Sequence, residues 1–325
     1  MITVVIPTIG RPSLGATLAA LGPSLDVIVV DDRPGAAAPA RTSGGPAPEV
    51  AEVLRDGGPA SGRIRVLRSG GRGPAAARNA GWRAARTPWI AFLDDDVVPR
   101  PGWAEALRAD LAGLPGEVAG SQGRIEVPLP SGRRLTDAER NTAGLAEAGW
   151  ITADMAYRRT ALERTGGFDE RFPRAYREDA DLALRMFAAG YRLVRGERVT
   201  LHPIRDDGPW ASVRLQRGNA DDALMRRVHG PGWRSAVGGA PGRLRRHALT
   251  AGLGVLAAVM WTARPGRAAA VATAAWAALT AEFAWARIAP GPRTREEIGR
   301  MVITSVVIPP VACARRLGGE LRVRR

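Results

Sequence analysis

Short aliphatic runs alternate along the first half of the chain with stretches whose apolar positions recur at helical spacing. Residues 2–6, Ile-Thr-Val-Val-Ile, predict a buried strand stopped by Pro7. A short helix follows over 13–21, ended by Gly22-Pro23, and a second strand over 27–30 runs into Asp31-Asp32. Residues 33–62 are rich in Pro, Gly, Ala and Ser and read as a long loop with a helical turn or two at 49–54. A third strand is expected at 64–67. Gly70 to Gly73 then lead into a helix over 74–85 with proline at its start. The fourth strand, 89–93, runs directly into Asp94-Asp95-Asp96, and another helix covers 103–111.

The middle of the chain is mixed. A strand is expected at 125–129, a helix at 159–164 just after residues 154–157, and a helix at 178–189 closed by Gly190. Beyond His247 the pattern changes. Residues 248–263 carry no charge, and residues 268–286 carry only Glu282, with Arg264-Pro265-Gly266-Arg267 between them. Residues 301–314 are apolar again, broken by Pro309-Pro310. A sixteen-residue helix reaches about 24 Å, short of the ~30 Å hydrocarbon core. A helical hairpin in the cytoplasmic leaflet, its arginines toward anionic headgroups, fits better than a span. An alanine-rich helical pair packed on the catalytic domain is the alternative. No internal repeat is visible.

Strand–helix alternation predicts an α/β fold: a mostly parallel sheet with helices on both faces, followed by an alanine-rich helical segment. The expected division is 1–230 for the sheet domain and 231–325 for a basic, apolar helical region, in contact with a membrane. Composition sharpens this division. All 47 basic residues are arginine against 32 acids, and residues 231–325 hold 15 arginines against 4 acids. The charge therefore gathers in the tail among apolar stretches. With few aromatics outside tryptophan to stack on bases, no nucleic-acid partner is expected. The single cysteine, Cys313, excludes an internal disulfide framework. The N-terminus has no basic region followed by a long apolar run, so no secretory signal is read and the catalytic part is expected in the cytoplasm.

Ligands of open parallel sheets sit beyond the carboxyl ends of the strands. Two of the four expected strands end there in acids, at Asp31-Asp32 and at Asp94–Asp96, which points to a metal and a polar ligand on one rim. A D-x-D triplet offers oxygen ligands to Mg²⁺ or Mn²⁺, with substrate phosphates in the remaining positions; in isolation an acidic loop or helix cap is the better explanation, but three charges at the end of a buried strand repel one another unless a cation or donor sits there. A second constellation is Arg177-Glu178-Asp179-Ala180-Asp181-Leu182-Ala183-Leu184-Arg185. Its carboxylates suit a helix N-terminus and also suit a general base for a hydroxyl nucleophile. Asp181 and Arg185 have the i,i+4 spacing of a pair.

Six motifs in order then carry a resemblance. They are Val4-Val5-Ile6-Pro7-Thr8, Val29-Val30-Asp31-Asp32, Gly73-Pro74-Ala75-Ala76-Ala77-Arg78-Asn79-Ala80-Gly81, Phe92-Leu93-Asp94-Asp95-Asp96, Gly166-Gly167-Phe168-Asp169-Glu170 and Glu178-Asp179-Ala180-Asp181-Leu182. Together they cover about residues 1–205, and the chain resembles a family 2 glycosyltransferase of GT-A fold. The resemblance implies metal-dependent, inverting transfer of a sugar from a nucleoside-diphosphate sugar to a hydroxyl of a glycan, a lipid-linked or a small-molecule acceptor. It implies that Pro7, Thr8, Arg11, Asp31, Asp32, Arg78, Asp94, Asp95 and Asp154 bind the donor. Asp94, Asp96 and His202 would hold the metal, and Asp179 would act as general base beside Glu178. Two features depart from the family pattern: the Pro/Gly-rich segment after the second strand, and Val97 where another acid often follows the triplet.

An NAD(P)-dependent oxidoreductase stays open as the alternative. Gly71-Arg72-Gly73-Pro74-Ala75-Ala76 reads as G-x-G-x-x-A between a strand and a helix, although it follows the third strand rather than the first.

Overall fold

The computed structural model describes residues 1–34, 63–205 and 207–324. The turn expected at 49–54, like all of 35–62, lies outside the described residues. In chain order the elements begin with β1 (Ile2–Thr8), α1 (Ser13–Leu21), β2 (Asp26–Asp31), β3 (Ile64–Arg68), α2 (Pro74–Ala84) and β4 (Trp89–Leu93). There follow β5 (Val98–Pro99), α3 (Trp103–Leu111), β6 (Val118–Glu126), α4 (Asp137–Ala143), β7 (Asp154–Arg158), α5 (Arg159–Thr165), α6 (Glu178–Ala188) and β8 (Arg192–Leu201). The remaining helices are α7 (Ala211–Arg214), α8 (Gly218–His229), α9 (Trp233–Ala236), α10 (Leu244–Ala263), α11 (Arg267–Ile288) and α12 (Arg295–Arg324). One compact unit comprises Met1–Pro128 with Leu145–Pro203; the other comprises Leu129–Gly144 with Ile204–Arg325.

The first unit is built on one sheet in the order β3-β2-β1-β4-β7-β6-β8-β5. Strands β3, β2, β1 and β4 run parallel, as do β6 and β8, while β7 is antiparallel to both its neighbours. The apolar runs of the central strands are continuous because both faces are covered. Alternate residues point to opposite sides. Val4, Ile6, Val27 and Val29 meet Leu14 and Leu18 of α1 on one face. Val5, Ile28, Val30 and Phe92 meet Trp82 of α2 and Leu182 and Met186 of α6 on the other. Each such side chain contributes about 1.5–3 kcal/mol on burial, so the helices that carry polar residues to the rim are firmly anchored.

Three local expectations are corrected. First, β1 runs through Pro7 to Thr8. The Thr8 carbonyl accepts from Asp32 N on the β2 side, so Pro7 faces the β4 side. There the pairing with β4 has ended at Val5, and the donor that proline lacks is not needed. Second, the strand expected at 125–129 lies earlier, at Val118–Glu126. Its interior, Ala119-Gly120-Ser121-Gln122-Gly123, lacks the β-branched signature because neighbours crowd it: a Cβ on Gly120 would meet the Ala156 carbonyl oxygen at 2.7 Å. Third, α12 continues through Pro309-Pro310. Buried Met301, Thr304 and Ile308 before the pair, and Ala312 and Gly319 after it, pin both halves. Packing therefore holds a helix that proline alone would break.

Candidate active site

The parallel strands bring their carboxyl ends to one rim. β1 delivers Pro7 and Thr8, β2 delivers Asp31 and Asp32, and β4 delivers Asp94, Asp95 and Asp96. Antiparallel β7 starts there, with Asp154 paired to Leu93. The start of α6 adds Glu178 and Asp179.

Arg78 of α2 joins two of these contributions. Its guanidinium is 1% exposed. Nη2 donates to Asp94 Oδ1 and Nη1 to Glu178 Oε1, each at 2.7 Å. Among the described residues, Arg78 Nε and Glu178 Oε2 are buried without a hydrogen-bond partner. Burial, with the Asp179 charge next to it, pushes the Glu178 carboxyl up to about 8 against the pull of Arg78. Asp179 is half-buried and accepts from the amide of Ala180 at 2.7 Å. Its carboxyl is also raised, by burial first, with that amide, Arg78 and Arg177 opposing. Arg177, just before the helix, has φ +80, a conformation that costs a non-glycine residue energy and recurs at functional sites. It turns the chain so that α6 opens directly on the two acids.

The middle acid of the triplet is tied inward. Asp95 Oδ2 accepts from Thr8 Oγ1 and Oδ1 from Arg11 Nη1, both at 2.6 Å, and burial raises its carboxyl against these donors. Arg11 also lies 3.5 Å from Asp96, and Asp96 Oδ1 lies 3.9 Å from His202 Nε2. His202, at the end of β8, is thus brought to the D-x-D pair. Among the described residues, no group of three His, Cys, Asp or Glu side chains converges to hold a cation unaided. Asp96 and His202 supply two neighbouring donors, and Asp94 gives one oxygen to Arg78. This is a carboxylate-and-imidazole set that fits Mg²⁺ or Mn²⁺ when phosphate oxygens complete the shell.

Asp31 and Asp32 have different partners. Asp31 forms a two-pronged pair with Arg33, at 2.7 and 2.9 Å. Asp32 accepts from Ser69 Oγ at 2.7 Å and from the amides of Arg72 and Gly73 at 3.0 and 2.8 Å. Gly73 can offer its amide there because its φ of +96 is open to glycine. The G-x-G-x-x-A loop therefore spends two of its amides on an internal carboxylate instead of a pyrophosphate. The dinucleotide reading of that loop, and with it the oxidoreductase alternative, is not favoured.

Asp154 is fully buried. Oδ2 accepts from Trp103 Nε1 at 2.7 Å and Thr200 Oγ1 at 2.6 Å, and Oδ1 from Arg198 Nε at 2.7 Å. Gly123 lies so close to this carboxylate that a Cβ would collide with it. Asp154 thus sits beside the rim, with both oxygens engaged inside the sheet.

Sequence reasoning missed several residues that support the rim. Asn79 accepts from Phe168 N and Trp82 Nε1, both at 2.9 Å, and donates to the Phe168 carbonyl at 2.8 Å and to Glu170 at 2.9 Å. It clamps the Gly166–Glu170 motif to α2, and its place in the Arg78-Asn79 motif was the available signal. Ser69, Trp103, Arg198 and Thr200 carry no local signal, because their partners are 37 to 51 residues away.

Comparison with known proteins adds to this geometry. Residues 3–165 match the family described as Glycosyl transferase family 2. A pre-mycofactocin glycosyltransferase of Mycobacterium tuberculosis is 33% identical over 205 residues, covering 59% of this chain and 40% of that protein. The succinoglycan biosynthesis protein ExoO of Rhizobium meliloti is 38% identical over 103 residues, 31% of this chain and 26% of that protein. The chain therefore spans two fifths or less of the length of these relatives. Among solved structures, the mannosyltransferase PcManGT of Pyrobaculum calidifontis, solved in complex with GDP-Man and Mn²⁺, is similar with a TM-score of 0.58. It is 19% identical and covers 97% of this chain and 86% of its own. That likeness is one of fold, the GT-A-type arrangement expected from the sequence.

Proposed function

Because the chain belongs to glycosyl transferase family 2, we propose that its rim of acids performs metal-dependent, inverting transfer of a sugar from a nucleoside-diphosphate sugar to an acceptor hydroxyl. The observation that carries this reading is the contrast between two adjacent carboxyls. Glu178 is buried and gripped by Arg78, whereas Asp179 is half-buried and, among the described residues, hydrogen-bonds only to the next amide of its own helix.

In this reading Asp179 accepts the proton of the acceptor hydroxyl as the oxygen attacks the sugar carbon. Burial raises its carboxyl, so it holds the proton better than an exposed aspartate does. Glu178 and Asp94 fix Arg78, and Arg78 fixes the start of α6 against the end of β4. Thr8, Arg11 and Asp95 brace the β1 end against the triplet, where the donor nucleotide is to lie together with Pro7, Asp31 and Asp32. Asp96 and His202 would hold the Mg²⁺ or Mn²⁺, with Asp94 adjacent. The cation would supply positive charge to the departing diphosphate. Asp154 would act from behind by tying β7 to β8 across β6 beside the triplet.

The partners of this reading are the nucleotide sugar, a glycan, lipid-linked or small-molecule acceptor, and the cytoplasmic face of a membrane. The arginine-bordered apolar helices after residue 243 speak for the last. The test is a screen of nucleotide sugars for hydrolysis or transfer with Mn²⁺ or Mg²⁺ and with chelator. The reading expects turnover of at least one donor that chelator abolishes. Turnover equal with and without metal would overturn the metal-dependent mechanism.

A further inference from the structure

The second unit buries a polar network beside its apolar core and leaves large apolar side chains outside, and α12 displays this most clearly. Its inward face carries Glu297, Thr304 and Ser305 beside Met301, Ile308 and Ala312, all buried. Its outward face carries Ile298, Val302, Val306, Leu317 and Leu321, all exposed. These five recur at three- and four-residue steps or their multiples and share one side of the helix.

The interior is organised around Arg287 of α11. Its Nη1 donates to Thr304 Oγ1 at 2.8 Å and Ser305 Oγ at 3.1 Å. Its Nη2 donates to Asp137 Oδ2 at 2.8 Å and Ser212 Oγ at 2.9 Å. Glu297 Oε1 accepts from Asp137 N at 2.8 Å. A satisfied polar interior of this kind holds helices together without help from water exclusion. The helices also approach closely: a Cβ on Gly319 of α12 would lie 2.6 Å from the Ala220 carbonyl oxygen of α8.

The apolar exterior continues onto the hairpin of α10 and α11, where Val255, Val259, Trp261 and Val271 are exposed. Arg264 and Arg267 stand exposed at its turn, and Arg246 at its other end, where it and half-buried Arg243 pair with Glu282. An apolar exterior of this extent is uncommon on a soluble monomer. Either a second copy or a lipid surface would cover it, and the charge decides between them. With 15 arginines against 4 acids in residues 231–325, two copies repel each other, whereas an anionic bilayer attracts the unit.

α11 (22 residues) and α12 (30 residues) are long and apolar enough to cross a membrane, but α10, which closes the hairpin with α11, offers only about 24 Å of uncharged helix, short of the ~30 Å core. We propose that α10–α12 lie in the headgroup and upper acyl region of a single anionic leaflet, with the apolar faces of α10 and α12 inward and the flanking arginines among lipid phosphates. This rests on the reading that a membrane is a partner and adds the face, the depth and the lipid charge.

The test uses the full chain and vesicles of phosphatidylcholine with or without phosphatidylglycerol. Flotation is expected with anionic vesicles and to persist largely at high salt, since apolar burial outlasts screening. Brominated acyl chains should quench tryptophan fluorescence, and Trp261→Phe should remove part of the quenching. Val302→Asp with Val306→Asp, both on the exposed face, should lower vesicle affinity at least tenfold while nucleotide binding stays unchanged. The proposal is overturned if binding is fully salt-reversible without quenching, an outcome that leaves the membrane reading standing. It is also overturned, together with that reading, by absence of flotation with a dimer in solution. Protease cleavage of the hairpin turn from inside sealed vesicles would show spanning and contradict the single-leaflet depth. None of these readouts depends on glycosyl transfer, so failure of the catalytic reading is seen separately.

Discussion

Glu178 and Asp179 are neighbours in sequence with opposite surroundings. Glu178 is sealed under the rim with Oε1 held by Arg78 at 2.7 Å, while Asp179 is half-buried and, among the described residues, accepts only from Ala180 N, at 2.7 Å. The division follows from how α6 begins. Arg177 in a left-handed conformation starts the helix abruptly, and Leu182 and Met186 seat it under the sheet. One acid is thereby committed to structure and the next is left available for chemistry.

The first expectation concerns the buried cation. Arg78→Ala leaves Glu178 buried without its partner and frees Asp94. Leaving a buried acceptor without its donor costs about 1–3 kcal/mol. Urea unfolding should register a loss of that size, and an unchanged midpoint would show that the bridge contributes nothing to the fold.

A second expectation concerns Asp154. Its carboxylate joins α3, β7 and β8 through Trp103, Arg198 and Thr200. Asp154→Ala leaves the Trp103, Thr200 and Arg198 Nε donors without their acceptor, while Arg198 keeps Asp110 and Ser121, and should destabilise the fold by about 1–3 kcal/mol. Turnover per folded molecule should fall far less than for a proton acceptor. A stable Asp154→Ala protein with abolished turnover would instead give this residue a direct part in the reaction.

A third expectation is a pH dependence with a definite sign. The Glu178 carboxyl lies at about 8 in the folded chain, against an ordinary value of 4.5. The folded state therefore binds the more protons between these values. The stability from this group is full below pH 4.5 and is lost as pH rises through about 8. Glu178→Gln cannot ionise and should lose less stability between pH 5 and pH 9 than the parent, by thermal unfolding at matched salt. Parallel curves for the two proteins would contradict the assignment. The raised Asp179 carboxyl acts on the rate: turnover should fall on the acid side with an apparent pKa above the usual aspartate value of about 3.9.

The acids that fold and chemistry bring together were legible to different degrees. Strands β1, β2 and β4 were plain because a sheet covered on both faces demands unbroken apolar runs, and their acidic ends marked the rim. Strand β6 was displaced because glycines and Ser121 replace the usual residues where Asp154 and Ala156 crowd it. The meeting of Asp96 with His202 spans more than a hundred residues and was reached through the family's motif order, not through spacing. The internal ties of Asp32 and Asp154 had no sequence signature, because a satisfied buried carboxylate and a ligand-binding one are the same letter.

A fourth expectation addresses the metal. Asp96→Ala and His202→Ala should each weaken Mn²⁺-dependent binding of a nucleoside diphosphate, measured by calorimetry with and without chelator. Metal-independent binding should be unaltered in both. Full metal dependence in His202→Ala would remove this residue from the ligand set and leave Asp96 with Asp94.

The central claim is that Asp179 takes the acceptor proton, and the most direct measurement is steady-state turnover of Asp179→Asn beside the affinity of the same protein for the donor nucleotide. The substitution preserves shape, and among the described residues the contact with the Ala180 amide is the only hydrogen bond at stake. General-base contributions are typically about 10²–10⁴-fold, so turnover should fall by that factor with donor affinity unchanged and Glu178→Gln less affected. Near-normal turnover of Asp179→Asn, with Glu178→Gln inactive, would contradict the account and exchange the two roles.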